Sequence, residues 1–237
     1  EDLKIKRGLV DFYANYLNNP LPPDTQLFAE QTLTYFDYDV DLYRPLRKYG
    51  YWDPASTKQQ KGKDPDFHCI PIGAVNDGFL DVIDVWMKQD RPSVGYKQAV
   101  ELARGYDLEE MRVELNHLPD GDEQLEEKFR KAKLRTSVSG LKNTISKASR
   151  IESLEPLTTA GRIRFRRDWR ECSHAYRLFM EQLTMYPVAS HDDGPDGLEG
   201  LYQLALKAKS GPPVEVSVSE KEQQTVFINS IFERYNT

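Results

Sequence analysis

The chain has 237 residues, a formal net charge of -6, 39% hydrophobic and 30% charged residues, enough apolar material for one large or two small packed domains, which excludes a wholly disordered chain. No run of about 18 apolar residues occurs, so no membrane-spanning helix and no membrane partner are predicted, and the start lacks the pattern of a secretory signal. Two cysteines, Cys69 and Cys172, form no framework and no C-x-x-C pair, which suits a reducing cytoplasm and argues against structural zinc.

In chain order, residues 6–17 read as a short helix, followed by a proline-containing and then aromatic-acidic stretch to residue 46 that reads as an extended connector. Tyr51 and Trp52 open the strand-like region. After a polar loop, 67–75 and 79–86 read as two strands joined by Asn76, Asp77 and Gly78, a strong hairpin signal. Next come a helix at 92–104, a strand at 111–115, a helix at 124–132 and a strand at 134–138. A strand at 162–165, helices at 169–183 and 195–206, an alternating segment at 214–218 and an apolar stretch at 226–232 complete the reading. The predicted architecture is an α/β mixed sheet, antiparallel over its first three strands and parallel afterwards, flanked by helices.

Charge is segregated along this chain. Residues 128–170 hold thirteen basic residues against three acidic ones, a local excess of ten positive charges that leaves -16 for the remainder. An acidic total argues against a nucleic-acid partner only if charge is uniform; a segregated basic segment fits a polyanion-binding face. Within it Lys142, Lys147, Arg150, Arg162, Arg164 and Arg166 are the candidate phosphate contacts, the last three at strand alternation.

Carboxylates fall where a sheet can gather them. Asp53 ends the first strand, Glu114 lies near the end of the 111–115 strand, and Asp192, Asp193 and Asp196 stand at a helix start. Clustered carboxylates repel unless a cation neutralises them, and oxygen donors without cysteine or histidine at zinc spacing select Mg²⁺ or Mn²⁺. Asp66 and Asp192 are accessory candidates, Asp84 competes with Glu114 for the middle position, and His191 stands where it could orient a water or contact a phosphate. Two metals in such a cluster would activate water and stabilise the leaving oxygen of a phosphodiester. No P-loop, G-x-S-x-G or G-x-G-x-x-G occurs.

The ordered set Asp53, Pro54, Ala55; Asp66, Phe67, His68, Cys69; Val113, Glu114, Leu115, Asn116; Lys147 to Ile151; Gly161 to Phe165; and His191 to Leu198 resembles the C-terminal nuclease domain of tailed-bacteriophage terminase large subunits. The likeness runs from about 12 to 206, and residues 12–20 look like the family's hand-over from ATPase to nuclease. The resemblance implies an RNase H-like fold and a Mg/Mn-dependent endonuclease that cuts concatemeric viral DNA during packaging by two-metal hydrolysis. In that scheme Asp53 bridges both ions, while Glu114 and either Asp193 or Asp196 hold one each. Gly197 replaces the usual alanine after the last acid. Implied partners are double-stranded DNA, the portal protein, the small terminase subunit and an upstream ATPase domain, in the host cytoplasm. The expected division is a connector at 1–46, a nuclease domain at 47–210 and a tail at 211–237, with residue 1 lying inside a linker. The competing readings are a non-catalytic docking platform of the same fold and a resolvase or transposase-like nuclease.

Overall fold

The computed structural model describes residues 26–55 and 65–207. The segments at 6–17, 12–20, 214–218 and 226–232, most of the polar loop before residue 67, and the 211–237 tail lie outside the described residues.

Seven strands form one sheet: β1 (Thr34–Phe36), β2 (Lys48–Trp52), β3 (His68–Asn76), β4 (Phe79–Lys88), β5 (Glu110–Glu114), β6 (Ser137–Leu141) and β7 (Ile163–Arg166), in the spatial order β1-β7-β4-β3-β2-β5-β6. The central β2-β3-β4 meander is antiparallel, and β5, β6, β7 and β1 each join by parallel pairing. The hairpin turn behaves as its residues dictate: Asp77 (φ 54) and Gly78 (φ 82) both adopt the left-handed region, giving a turn whose twist matches the flanking strands. A bulge follows, because Ile72 pairs with Asp84 and Gly73 with Val82, leaving Ile83 unmatched.

Helices cover both faces. On one side α2 (Pro92–Tyr106) and α3 (Gly121–Lys131) pack Tyr96, Leu102, Leu125 and Phe129 against Trp52, Ile70, Ile83 and Val113 of the sheet. On the other, α6 (His174–Thr184) and α7 (Asp193–Lys207) cover Cys69, Val82, Val85 and Phe165, and then Tyr49, Tyr51 and Leu80. The short α1 (Val40–Tyr43), α4 (Lys147–Glu152) and α5 (Glu155–Thr159) fill the connections. The bulge turns Ile83 and Asp84 toward the α2 side, where the Tyr106 hydroxyl donates to Asp84 Oδ2 at 2.8 Å.

Several expectations shift. Residues 26–46 are built into the fold rather than forming a connector: Phe28, Leu33, Phe36 and Tyr43 are buried, and β1 pairs with β7. The expected 134–138 strand lies at Ser137–Leu141, since Lys133 turns the chain at φ 57 and pairing runs from Glu110↔Ser137 to Glu114↔Leu141. The expected 169–183 helix starts at His174, where the Ser173 side chain caps it by accepting from the Tyr176 N–H.

The strand registers decide where charged residues sit. Lys48 at the start of β2 pairs with Ala74, Ala74 with Asp81, and Asp81 with Arg164. Arg164 is therefore level with the start of β2, roughly 16 Å along the strand direction from Asp53 at about 3.3 Å per residue. There its guanidinium grips the buried Asp81 carboxylate through Nε at 2.5 Å and Nη2 at 2.8 Å, while Tyr43 Oη and Asn76 Nδ2 also donate to Asp81. Arg164→Ala strands a buried carboxylate, and urea denaturation is expected to show a loss of about 3 kcal/mol. Arg164→Lys should recover only part of it, because an ammonium cannot grip both oxygens. A loss below about 1 kcal/mol would refute the structural role.

Candidate metal centre

β2 and β5 run side by side in the parallel register Tyr51↔Arg112 and Trp52↔Val113. One residue further on, Asp53 extends the ladder by a bridge to Cys69, its N–H donating to Cys69 O and its carbonyl accepting from Cys69 N–H, each at 2.9 Å. The strand alternation that sends Trp52 and Val113 to the α2 side turns Tyr51, Asp53 and Glu114 to the α7 side. Two carboxylates from strands about 4.8 Å apart thus share one face and one end of the sheet.

Helix α7 adds the third. Its first turn carries Asp193 and Asp196, where a helix N-terminus favours negative charge. Close docking on the sheet explains two glycines: a Cβ at Gly197 would meet Cys69 Sγ at 3.0 Å and Pro71 Cδ at 3.3 Å, and at Gly200 it would overlap the Tyr51 ring. The alanine expected at 197 is therefore a glycine because β3 presents a sulfur and a proline there. Asp53, Glu114 and Asp196, all buried, bring one oxygen each to within 4.8 Å of one another. Asp193 belongs to a second group with Asp66 and His191, whose ligand atoms also lie within 4.8 Å of one another. Its Oδ2 accepts from the Phe67 N–H at 3.0 Å and lies 3.8 Å from His191 Nδ1.

The short helix α4 supplies the compensating charge. Lys147 Nζ sits 2.7 Å from Asp192, 3.6 Å from Asp193 and 3.3 Å from Asp196. Beneath it the buried Arg150 guanidinium approaches Asp196 at 2.6 Å, Glu199 at 3.1 Å and Glu114 at 3.9 Å. These two cations do not satisfy the cluster. Burial first, and then the Asp196 carboxylate, push Asp53 well above the ordinary carboxylate range. Burial raises Asp196 to about 6 against the pull of Lys147 and Arg150, and it raises Asp193 as well. Burial pulls Lys147 down, but Asp53 and the α7 acids outweigh it and hold its ammonium charged. The Asp196 Oδ1 facing Arg150 is buried without a hydrogen bond, so that contact is electrostatic only.

A buried oxygen-only triad, crowded enough to raise two of its carboxylates, on a cleft of about 160 Å³ shared with Asn116, His117, Asn143 and Ile145, fits a hard divalent cation. The second group offers one nitrogen beside its oxygens, which suits Mn²⁺ better than Mg²⁺.

The sequence candidates divide accordingly. Asp53, Glu114 and Asp196 converge, Asp66 and Asp193 stand beside them with His191, and Asp192 holds Lys147. Asp84 is removed from the contest: it is buried on the α2 side, raised to about 6 by burial. Of the six basic candidates, Lys142 is exposed and precedes the cleft-lining Asn143 in the chain, whereas Lys147 and Arg150 face the carboxylates. Arg162 and Arg164 belong to the far end of the sheet, and the Arg164 guanidinium is taken up by Asp81. Arg166 is buried, holds Asp168 through Nε and Nη2, and lies over the Tyr38 ring. The strand alternation of these three reports a shared face but not what opposes it, and the structure shows Arg164 and Arg166 engaged with Asp81 and Asp168. Tyr51 and Asn143, both hydrogen-bonded to Glu114, carry no local sequence signal that would have found them.

No protein-family model matches the chain, and no curated protein matches it. Solved structures are similar to it. The human cytomegalovirus terminase nuclease domain, Mn-soaked and inhibitor-bound, aligns with TM-score 0.55 at 14% identity, over 75% of this chain and 94% of that one. The same domain Mn-soaked gives TM-score 0.52 at 14% identity, over 75% and 94%. The large terminase nuclease domain of Thermus phage P74-26 gives TM-score 0.50 at 15% identity, over 78% and 96%. The chain thus has the RNase H-like fold of terminase nuclease domains, as the sequence led us to expect.

Asp196 titrates near 6 in the folded chain, against about 4 when unfolded. The native state binds this proton more tightly, so between those values stability falls as pH rises, by on the order of 3 kcal/mol from this group, and stays lower above 6. Asp196→Asn, measured in chelator, is expected to raise the unfolding temperature near neutral pH and to change it little near pH 4.5. Equal shifts at both values would contradict the assignment.

Proposed function

We propose that this chain is a divalent-metal-dependent endonuclease acting on double-stranded DNA during viral genome packaging. The observation that carries the reading is the buried Asp53, Glu114 and Asp196 triad, gathered at one end of two adjacent parallel strands of an RNase H-like sheet, with Asp196 Oδ1 lacking a hydrogen bond. A purely structural platform has no use for buried carboxylates whose charge the surrounding residues do not balance.

Asp53, Glu114 and Asp196 would hold one Mg²⁺ or Mn²⁺, and Asp66, His191 and Asp193 offer the position for a second. Bound ions of this kind lower the pKa of water and neutralise charge on a phosphodiester undergoing in-line attack. The chain's own residues do the rest. Asp53 brings a carboxylate oxygen within 4.8 Å of both Glu114 and Asp196. Lys147, on the cleft wall, offsets part of the repulsion among the α7 carboxylates before metal arrives, and its ammonium would move aside or turn to a phosphate when it does. The exposed Lys142 supplies sequence-independent backbone attraction. On this reading the substrate is concatemeric DNA, and the partners are the portal protein, the small terminase subunit and an ATPase domain of the same protein, in the host cytoplasm. The nuclease domain takes in residues from 26 onward rather than beginning at 47.

Two observations support this choice. The Mn-soaked cytomegalovirus domain has the same fold, and the histidine-containing second group gives Mn²⁺ a place that Mg²⁺ would occupy less readily. Asp53→Asn, nearly unchanged in shape, is expected to reduce Mn²⁺-supported cleavage of supercoiled plasmid to background while circular dichroism and unfolding temperature show an intact fold. Chelation should do the same to the unaltered chain, reversibly. Full cutting by the folded variant would overturn the assignment.

A further inference from the structure

The Glu114 carboxylate is held by a device that lies outside the acidic cluster. Two hydrogen bonds converge on its Oε2, from Tyr51 Oη at 3.0 Å and from Asn143 Nδ2 at 2.9 Å. Both donors select the same oxygen, so the second oxygen is turned away from them.

Asn143 is itself latched. The strands β5 and β6 end together at Glu114↔Leu141, and the Leu115 N–H still donates to Leu141 O at 2.8 Å. Beyond that rung the backbone ladder is replaced by a side chain. Asn116 Oδ1 accepts from the Asn143 N–H at 2.8 Å, and Asn116 Nδ2 donates to Asn143 O at 3.0 Å. An asparagine amide thus grips both main-chain groups of residue 143 as a neighbouring strand would, fixing the backbone from which the Asn143 side chain reaches back to Glu114. A primary amide suits both tasks, since it donates and accepts with one planar group. The latch also joins the two loops at the cleft rim. The loop after β6 carries Lys142 and the exposed Ile145, so the seat of Glu114 depends on the conformation of a loop that faces the cleft.

We propose that Asn143, held by Asn116, is a positioning residue that fixes the Glu114 carboxylate for divalent-cation binding. The inference rests on the metal-dependent reading above and adds to it the residues that set the ligand's orientation. Neither asparagine holds the ion; both act through Glu114. Hydrogen-bond partners of metal ligands commonly change affinity by about 10–100-fold when removed.

The test uses Mn²⁺ alone as probe, with calorimetric or EPR titration of the whole chain. Asn143→Leu keeps the branching of the side chain and removes the donor; Asn116→Ala releases the latch without touching Glu114. Asn143→Leu is expected to weaken Mn²⁺ binding by about 10-fold or more, and Asn116→Ala by less. Because Asn116 works through Asn143, the double variant should bind Mn²⁺ no more weakly than Asn143→Leu alone. In plasmid cleavage the half-saturating Mn²⁺ concentration should rise in step. A merely structural role would lower the unfolding temperature without this selective shift. The positioning role is overturned if the unaltered chain binds Mn²⁺, Asp53→Asn abolishes that binding, and folded Asn143→Leu binds as tightly as the unaltered chain. An unaltered chain that binds no Mn²⁺ instead overturns the metal reading, and the positioning role with it.

Discussion

The acidic end of this molecule depends on a single pairing, the parallel register that sets Tyr51 against Arg112 and Trp52 against Val113. One residue beyond it, Asp53 and Glu114 become neighbours on the same face. A slip of one residue would turn one of the two acids into the apolar layer beneath α2, where burial penalises an unpaired charge. The register is protected because the same slip would expel Trp52 or Val113 from that layer. Burial of the hydrophobic face therefore specifies the geometry of the charged one. Helix α7 then descends on this end through Gly197 and Gly200, and α4 closes it with Lys147 and Arg150.

The two ends of the sheet show how the same chemistry serves different purposes. At the far end the single carboxylate of Asp81 is gripped at both oxygens by Arg164 and receives further bonds from Tyr43 and Asn76. It is satisfied and closed over. At the near end Asp53, Glu114, Asp193 and Asp196 share two cations, one buried oxygen has no hydrogen bond, and a cleft opens over them. A satisfied buried ion pair holds a fold together, whereas an unsatisfied and accessible one is prepared for an ion or substrate from outside.

Legibility followed the range of the interactions. The hairpin was readable because Asn76, Asp77 and Gly78 act locally. The strand-end acids were readable because an unpaired carboxylate in an apolar run demands a reason, and Glu114 and Asp53 had none nearby. Asp193 and Asp196 could not be separated in sequence, since both lie in the first turn of α7; only its docking sends one to Asp53 and the other toward Asp66 and His191. The strand β6 was misplaced because Ser137, Ser139 and Gly140 carry little hydrophobic signal and its position is imposed by β5. The Arg164 ion pair was not legible because its partner Asp81 lies 83 residues upstream. Asn143 was invisible for the same reason, being useful only once β5 and β6 lie side by side.

The segregation of charge takes on a different meaning in three dimensions. A basic segment with an excess of ten charges, set in an acidic chain, reads as a surface for a polyanion. Folding turns four of those thirteen cations inward: Lys147 and Arg150 face the acids of the cleft, Arg164 faces Asp81, and Arg166 faces Asp168, while the other nine stay exposed. The four are engaged with carboxylates of the fold and the site. The cleft itself is lined by carboxylates whose neighbouring cations, Lys147 and Arg150, are already engaged. On the proposed reading, a nucleic-acid phosphate entering the cleft would meet positive charge there chiefly from ions that the carboxylates hold, while the exposed basic residues act from outside it. Binding within the cleft and chemistry would then share one requirement, the divalent ion.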